Sequence, residues 1–301
     1  MIAKLARNPH IELALLCLLA LMWGSSYLFI KIAVETIPPI TLIAARVAIA
    51  ALLLSAIMAK RKHRFPREPR IWQALFVQSI FNSIGAWTVL AWGQQYVDSG
   101  LAGILNSTSP IFVFFITWLW TRHEAVSGDK LIGALLGLAG VILIVGVNAL
   151  DGFGQNIAAQ LAVLSGAMLY GLAAIYGKRF ADLPPSVTAA CTMIWAAVIL
   201  IPMSLVIDRP WTLSPSGASV CAALALAIFS TAGALIIYFR LIKTIGSMGV
   251  ASQAYLRIGV SVLLGMILLG ESVDWSVVLG LLAVAMSVAI INGHLRAAWW
   301  R

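Results

Sequence analysis

Residues 11–34 read IELALLCLLALMWGSSYLFIKIAV, and residues 158–181 read AAQLAVLSGAMLYGLAAIYGKRFA. Each contains an apolar run of the length that crosses a bilayer as a helix, about 20 residues. Set one above the other, at a displacement of 147 residues, Trp23-Gly24 falls on Tyr170-Gly171 and Lys31 on Lys178. The hydropathy points to a membrane protein, and the displacement points to a duplicated one.

The rest of the 301-residue chain extends both readings. It is 61% hydrophobic and 10% charged, where soluble domains run at roughly 45–50% and 25%. So few charges cannot build a water-soluble surface. Apolar segments fall at 11–34, 40–59, 71–93, 99–120, 130–147, 157–178, 186–206, 217–239, 246–269 and 275–292. They are continuous, without the alternation of a barrel strand, and a lone spanning segment must satisfy its own backbone. The expected fold is an all-α integral membrane protein of ten transmembrane helices, with little chain left for a soluble domain. Lys4 and Arg7 before the first span resemble a signal peptide. No small-residue cleavage site follows convincingly, so the segment reads as an uncleaved first helix.

Loop charge orients the bundle. With the N-terminus in the cytoplasm, the inner ends hold 16 Lys and Arg residues, six of them between Lys60 and Arg70, and the outer loops hold Arg209 alone. This is the positive-inside pattern, with both termini in the cytoplasm. The 60–70 loop reads as a topology determinant, with binding of anionic lipid headgroups as the alternative. Cys17, Cys191 and Cys221 lie far apart in apolar runs and read as small apolar filler, not as a disulfide framework.

The displacement of 147 also brings Glu35 onto Asp182, Thr41 onto Thr188, Glu124 onto Glu271 and Gly133 onto Gly280. Pro38-Pro39 meets Pro184-Pro185 after a one-residue slip. The expected organisation is a first five-helix repeat over 1–148 and a second over 149–301, together one membrane domain. Five is odd, so the second copy enters the membrane from the opposite side. Inverted repeats of this kind can exchange conformations and expose a site near the midplane to each side in turn. Channels and membrane enzymes also contain repeats.

Trp23-Gly24-Ser25-Ser26, Ala45-Arg46, Thr108-Ser109-Pro110 and Glu124 followed by Gly133 resemble the EamA-type repeat of the drug/metabolite transporter superfamily. The second half repeats the pattern with Tyr170-Gly171, Gly270-Glu271 and Gly280. The resemblance covers essentially the whole chain. It implies a ten-helix, multi-pass exporter of small metabolites in a bacterial cytoplasmic (inner) membrane, and within the family the chain is most similar to bacterial exporters of aromatic amino acids. One departure concerns a proline that the family often carries in both halves. Pro110 occupies the first place and Arg257 the second. A proline that loosens span 4 therefore has no expected counterpart in span 9.

Arg257 is about 11 residues into its span, near the midplane. An arginine there costs at least roughly 2.5–3.5 kcal/mol on insertion scales. No Asp or Glu is expected at that depth. Arg257 either holds a substrate carboxylate through its planar fork or is structural, bonded to backbone carbonyls and water. Gln78 and Asn82 lie four apart on span 3, with Ser79 and Ser83 beside them. Asn106, Ser107 and Ser109 precede Pro110, where the polar neighbours could take up backbone groups freed by the proline. Ser252, Gln253 and Tyr255 precede Arg257. These are candidate substrate contacts or plain interhelical hydrogen bonds. Trp23, Trp87 and Tyr170 are deep aromatics that either pack or line a cavity for an amino-acid side chain. Trp72, Trp118, Trp120, Trp211, Trp275, Trp299 and Trp300 read as the interfacial belt. Lys31, four residues before Glu35, and Arg46 are assigned to structure or gating. Gly133, Gly137 and Gly140 form a small-residue face for close helix packing.

The chain has no GxxxxGK[ST] loop and no HExxH spacing, and its four histidines fall near the inner side. Neither cofactor nor metal is expected, and no catalytic residue is assigned. The expected partners are a small-molecule substrate and the bilayer, with no nucleic acid and the oligomeric state open. The leading reading is secondary export of small metabolites, above all amino acids including aromatic ones, by alternating access without obligatory proton antiport. An exporter of drug-like solutes and a channel are the competing readings.

Overall fold

Prolines open several helices and glycines close others. In a computed structural model, which describes residues 9–93, 96–97, 99–122, 124, 127–260 and 274–293, every regular element is helical. Helix α1 spans Pro9–Gly24 and α2 Ser26–Ala33. Helix α3 (Pro39–Lys60) begins on a proline, whose missing N–H would have no partner at that position anyway. Helices α4 (Pro69–Ser79) and α5 (Gly85–Gly93) are joined by a π-helical turn, Ile80–Ile84. Helix α6 (Ser99–Asn106) and α7 (Ser109–Ile116) follow, and α7 runs into a second π turn, Thr117–Thr121. Helix α8 is Gly128–Val145, α9 Ile157–Gly177 and α10 Pro185–Ile207. Helices α11 (Gly217–Ala227) and α12 (Ala234–Ala251) flank a third π turn, Ile228–Gly233. Helix α13 covers residues 253–260, and α14 is Trp275–Ile291. Gly146 after α8 and Gly293 after α14 both take positive φ, +96° and +76°, and they are repeat mates.

Seven helical stretches are long and apolar enough to cross a membrane: Pro9–Ile30, Pro39–Lys60, Leu101–Thr121, Gly128–Val145, Ile157–Phe180, Pro185–Ile207 and Gly217–Ala251. The apolar α14 is shorter. Gly246, at φ +83°, interrupts the last of the seven, which therefore holds the end of one span and the start of the next. The sequence reading ended the earlier of these at residue 239. The helix instead continues to the Gly246 break, because Arg240 and Lys243 can stay helical and extend their charged heads away from the apolar run.

Two helices are broken at comparable places. Between α6 and α7 the Ser107 and Thr108 backbone turns, and the Thr108 hydroxyl donates to the Leu105 carbonyl at 2.6 Å. Between α12 and α13 the turn is at Ser252, whose hydroxyl donates to the Gly249 carbonyl at 2.7 Å. Span 9 thus has a counterpart to the Pro110 break without a proline. The proline itself has no counterpart, since Arg257 stands at its place, and the second break is instead accompanied by a hydroxyl closing back on its own turn. Thr108, rather than Asn106 or Ser109, takes the carbonyl at the first break.

The chain divides into two compact units, which cut across the sequence halves. One unit comprises Met1–Leu21, Ala86–Lys178 and Leu241–Arg301. Inside it α8 packs on α14. The Ser287 hydroxyl donates to the Gly133 carbonyl at 2.6 Å, and Gly140 and Gly280 meet backbone to backbone. As the numbers rise along α8 they fall along α14, so the helices are antiparallel. They are also repeat mates: Gly133 is displaced onto Gly280 and Gly140 onto Ser287, so each contact is the other with the partners exchanged. The second unit comprises Met22–Gly85 and Arg179–Arg240. There α3 packs on α10, again its repeat mate. Thr41 bonds Asp208 through its N–H and hydroxyl, both at 2.8 Å, and lies 2.9 Å from the Ser204 hydroxyl. At the other end His63 Nδ1 lies 3.0 Å from the Ser186 hydroxyl, so this pair is antiparallel too.

The glycine face on α8 works as expected. A Cβ on Gly140 would lie 2.8 Å from the Gly280 carbonyl oxygen, and one on Gly280 would lie 2.7 Å from that of Gly140. Backbone cannot step aside as a side-chain tip can. We expect Gly140→Ala and Gly280→Ala each to destabilise the protein by about 1–3 kcal/mol, read as a lower melting temperature in detergent. Gly128→Ala, where a Cβ meets nothing within 4 Å, leaves the melting temperature unchanged.

Candidate functional site

The unit holding α3 and α10 contains Trp23, Arg46, Gln78 and Asn82 of the sequence candidates. A π turn misaligns its carbonyls with the next N–H groups, and such turns often mark functional positions. Here side chains contact the freed groups. Trp23 Nε1 donates to the Ser230 carbonyl at 3.1 Å, and its ring lies 5.4 Å from that of Tyr238. Arg46, only 8% exposed, donates from Nε to the Thr231 hydroxyl at 2.6 Å. Thr231 in turn donates to the Leu226 carbonyl at 2.8 Å. Gln78 and Asn82 are both buried, but a π turn begins between them, so they do not share a regular α-helical face. Asn82 Nδ2 donates to the Ser83 hydroxyl at 3.3 Å, and Ser79 donates to the Thr192 carbonyl at 2.8 Å. The turns at Ile80–Ile84 and Ile228–Gly233 lie at matching places in the two copies. The sequence reading noted Arg46 but neither Ser230 nor Thr231, because a π turn has no signature in hydrophobic period.

The other unit contains Trp87, Asn106, Ser109, Pro110, Tyr170, Gln253, Tyr255 and Arg257. Tyr255 is wholly buried, with its hydroxyl donating to the Ala134 carbonyl at 2.8 Å and its ring over Gly137. Its ring and its polar tip are both committed to holding α13 on α8. Tyr170 is half-buried against an apolar cluster that includes Leu90, Leu101, Leu105 and Val163, and Trp87 is half-buried on α5. Ser109 and Pro110 are buried in the first turn of α7. Gly103 of α6 lies against Ile258 of α13. Gln253 and Arg257 stand four apart on α13, 9% and 8% exposed.

Five buried side-chain oxygens in this unit lack a hydrogen-bond partner among the described residues: Asn106 Oδ1, Ser107 Oγ, Thr117 Oγ1, Gln253 Oε1 and Asn292 Oδ1, of which Asn106, Ser107 and Gln253 lie at the two helix breaks. Leaving such a group unmet costs about 1–3 kcal/mol each. Asn106 and Gln253 are repeat mates. Asn292, also without a partner at Oδ1, is by contrast anchored through its amide nitrogen to the Val288 carbonyl at 2.9 Å.

A second polar cluster closes one end of the same unit. Glu124 forms an ion pair with Lys178 and accepts from the Ser247 N–H at 2.8 Å and the Ser247 hydroxyl at 2.9 Å. Thr244 donates to Glu12 at 2.7 Å. From sequence Glu124 stands as a repeat landmark and part of the family motif, without a partner assigned to it, and its mate Glu271 lies outside the described residues. Trp118, Trp120, Trp211 and Trp275 are exposed, as a lipid-facing belt requires. Trp72 instead donates to the Pro66 carbonyl and packs on Phe65 and Trp195. The Lys31 side chain, Trp299 and Trp300 fall outside what the structure describes. Thr231→Val removes an acceptor from the buried Arg46 guanidinium and should destabilise by about 1.5–3 kcal/mol. Thr231→Ser keeps the hydroxyl and stays near wild type, which thermal unfolding in detergent checks.

Comparison with known proteins supplies the family. The EamA-like transporter family matches residues 10–146 and, a second time, 157–293. The uncharacterized inner membrane transporter YedA of Escherichia coli (strain K12) is 30% identical over 283 residues, covering 92% of this chain and 90% of that protein. The uncharacterized transporter YvbV of Bacillus subtilis (strain 168) is 27% identical, over 94% of this chain and 92% of its own. Protein PagO of Salmonella typhimurium is 30% identical over 75% of each. A solved crystal structure at 20% identity covers 93% of this chain and 96% of its own with a TM-score of 0.80, a likeness of fold alone. With the family matched twice along its length and several apolar helices of spanning length, the chain is a multi-pass membrane transporter and belongs to the EamA-like transporter family.

Proposed function

We propose that the protein is a secondary transporter with ten spans in two inverted five-helix repeats, exporting small metabolites, above all amino acids including aromatic ones, by alternating access. The observation that carries this reading is the antiparallel packing of repeat mates. Copies of one orientation would present α8 and α14, or α3 and α10, in parallel. The exchanged contacts of Gly133 with Ser287 and Gly140 with Gly280 are those of a two-fold axis. For inverted repeats that axis lies in the membrane plane. Mates that cross on it therefore cross at the midplane, between residues 136 and 137 on α8, which is also the middle of that helix. The two family matches begin 147 residues apart, the displacement at which the sequence repeats.

The same logic sets the depth of α6 and α13. Gly103 against Ile258 implies, by exchange of mates, Ile111 against Val250. The crossing is then at Ser107 and Ala254, themselves mates. Arg257 is three residues past that point, about 4.5 Å along the axis. A guanidinium held at such depth in a transporter suits a carboxylate, which it pairs through two parallel hydrogen bonds. The excess of basic residues at one set of loops puts both termini in the cytoplasm.

Counterflow in proteoliposomes tests the reading. Vesicles loaded with an unlabelled aromatic amino acid should transiently accumulate labelled tracer. Several amino acids should compete, and an imposed pH gradient at fixed potential should not be required. Absence of accumulation for every amino acid, with the protein shown active on another solute, would remove the assignment. Arg257→Ala should raise the half-saturating amino-acid concentration roughly tenfold or more, with Arg257→Lys restoring part of the loss.

A further inference from the structure

The two amide side chains nearest the α6–α13 crossing are Asn106 and Gln253. They occupy the same position in the two copies, one residue before the mates Ser107 and Ala254, where exchange of the Gly103–Ile258 contact puts the crossing. They are 3% and 9% exposed, and the oxygen of each is without a partner among the described residues, as is the hydroxyl of Ser107. Buried polar groups left unmet by the fold are groups that a ligand can meet. Both stand at a break in a helix. Asn106 is the last residue of α6, where the aligned peptide dipoles leave partial negative charge. Gln253 opens α13 directly after the Ser252 turn. In transporters, the C-terminal ends of broken helices are where cations are held, which favours an ammonium at Asn106, whereas at Gln253 the acceptor is the amide oxygen alone.

We propose that Asn106 and Gln253 form a pair of amide acceptors, related by the internal repeat, that receives the protonated amine of an α-amino-acid substrate at the centre of the membrane while Arg257 takes its carboxylate. This rests on the amino-acid reading above and adds which end of the substrate each group recognises. The spacing fits. An α-amino acid carries its two charges on one carbon, and Gln253 and Arg257 are one helical turn apart on the same face. The chemistry also fits. An amide oxygen accepts from an ammonium without competing for the guanidinium, whereas an Asp or Glu one turn from Arg257 would pair with it. A simple organic cation would be repelled by Arg257, and a simple organic acid would leave the amide pair unmet. The site therefore selects zwitterions over either.

The test is competition in the counterflow assay with the full chain. Labelled phenylalanine is the tracer, and the competitors are phenylalanine, 3-phenylpropionate, N-acetylphenylalanine and phenethylamine. Wild type should need roughly tenfold or more of either amine-less acid to match phenylalanine, the size of one lost hydrogen bond to a charged group. Asn106→Ala and Gln253→Ala should each shrink that ratio toward one. The isosteric Asn106→Asp and Gln253→Glu, which preserve packing if the alanine variants misfold, should raise competition by phenethylamine relative to phenylalanine. Equal competition by phenylalanine and 3-phenylpropionate in wild type overturns the amide pair and leaves amino-acid transport standing. An unchanged ratio in the folded variants does the same. No counterflow of any amino acid overturns both.

Discussion

The backbone of α8 touches the backbone of α14 at Gly140 and Gly280, and the packing of their unit is built around that approach. Lipid gives no hydrophobic reason for one apolar helix to prefer another, so association depends on close packing and on polar groups that meet across the contact. Glycine allows the approach, and the Ser287 hydroxyl on the Gly133 carbonyl keeps it in register. Tyr255 enters beside Gly137 and ties α13 to the same helix. Because the touching helices are copies of one ancestral segment, one favourable contact is obtained twice. The α3–α10 pair follows the same scheme with polar ends, Thr41 on Asp208 and His63 beside Ser186.

Against these regular pairs stand the irregular helices. Spans interrupted by π turns or by serine and threonine turns release carbonyls that hydrocarbon cannot solvate. The protein meets them from within: Thr108 for Leu105, Ser252 for Gly249, Thr231 for Leu226 and Trp23 for Ser230. Arg46 is bonded to one of these hydroxyls, which places that cation in the support of a π turn. The division of labour is physical. Continuous helices hold each unit together, α8 and α14 across glycines and α3 and α10, which contain none, across small and polar residues, while the broken helices carry polar side chains whose groups answer the carbonyls freed at the breaks.

Much of this was legible in residues alone. Prolines at 39, 69 and 185 start helices because proline has no N–H to offer and its φ is already helical. Gly133, Gly137 and Gly140 read as a packing face because small residues recur at helical spacing. The break after Asn106 was legible from Pro110. The matching break at Ser252 was not, since a serine inside an apolar run reads equally as helix. Gln78 and Asn82, four apart, read as one face, yet a π turn starts between them. Tyr255 read as a candidate contact because depth can be counted along a helix, whereas the partner of its hydroxyl, Ala134, is 121 residues away.

The sequence by itself determined that the chain lives in a membrane, that it is a tandem duplication, and which loops carry positive charge. These depend on composition, period and order, which are local or additive along the chain. Only the tertiary structure decided that repeat mates pack on each other antiparallel, that the compact units mix the two halves, and which polar groups are met and which are left over. Those depend on contacts between residues more than a hundred positions apart. Asn106 and Gln253 show the difference: their displacement of 147 can be read from the sequence, but that both oxygens are buried without a partner can be read only after folding.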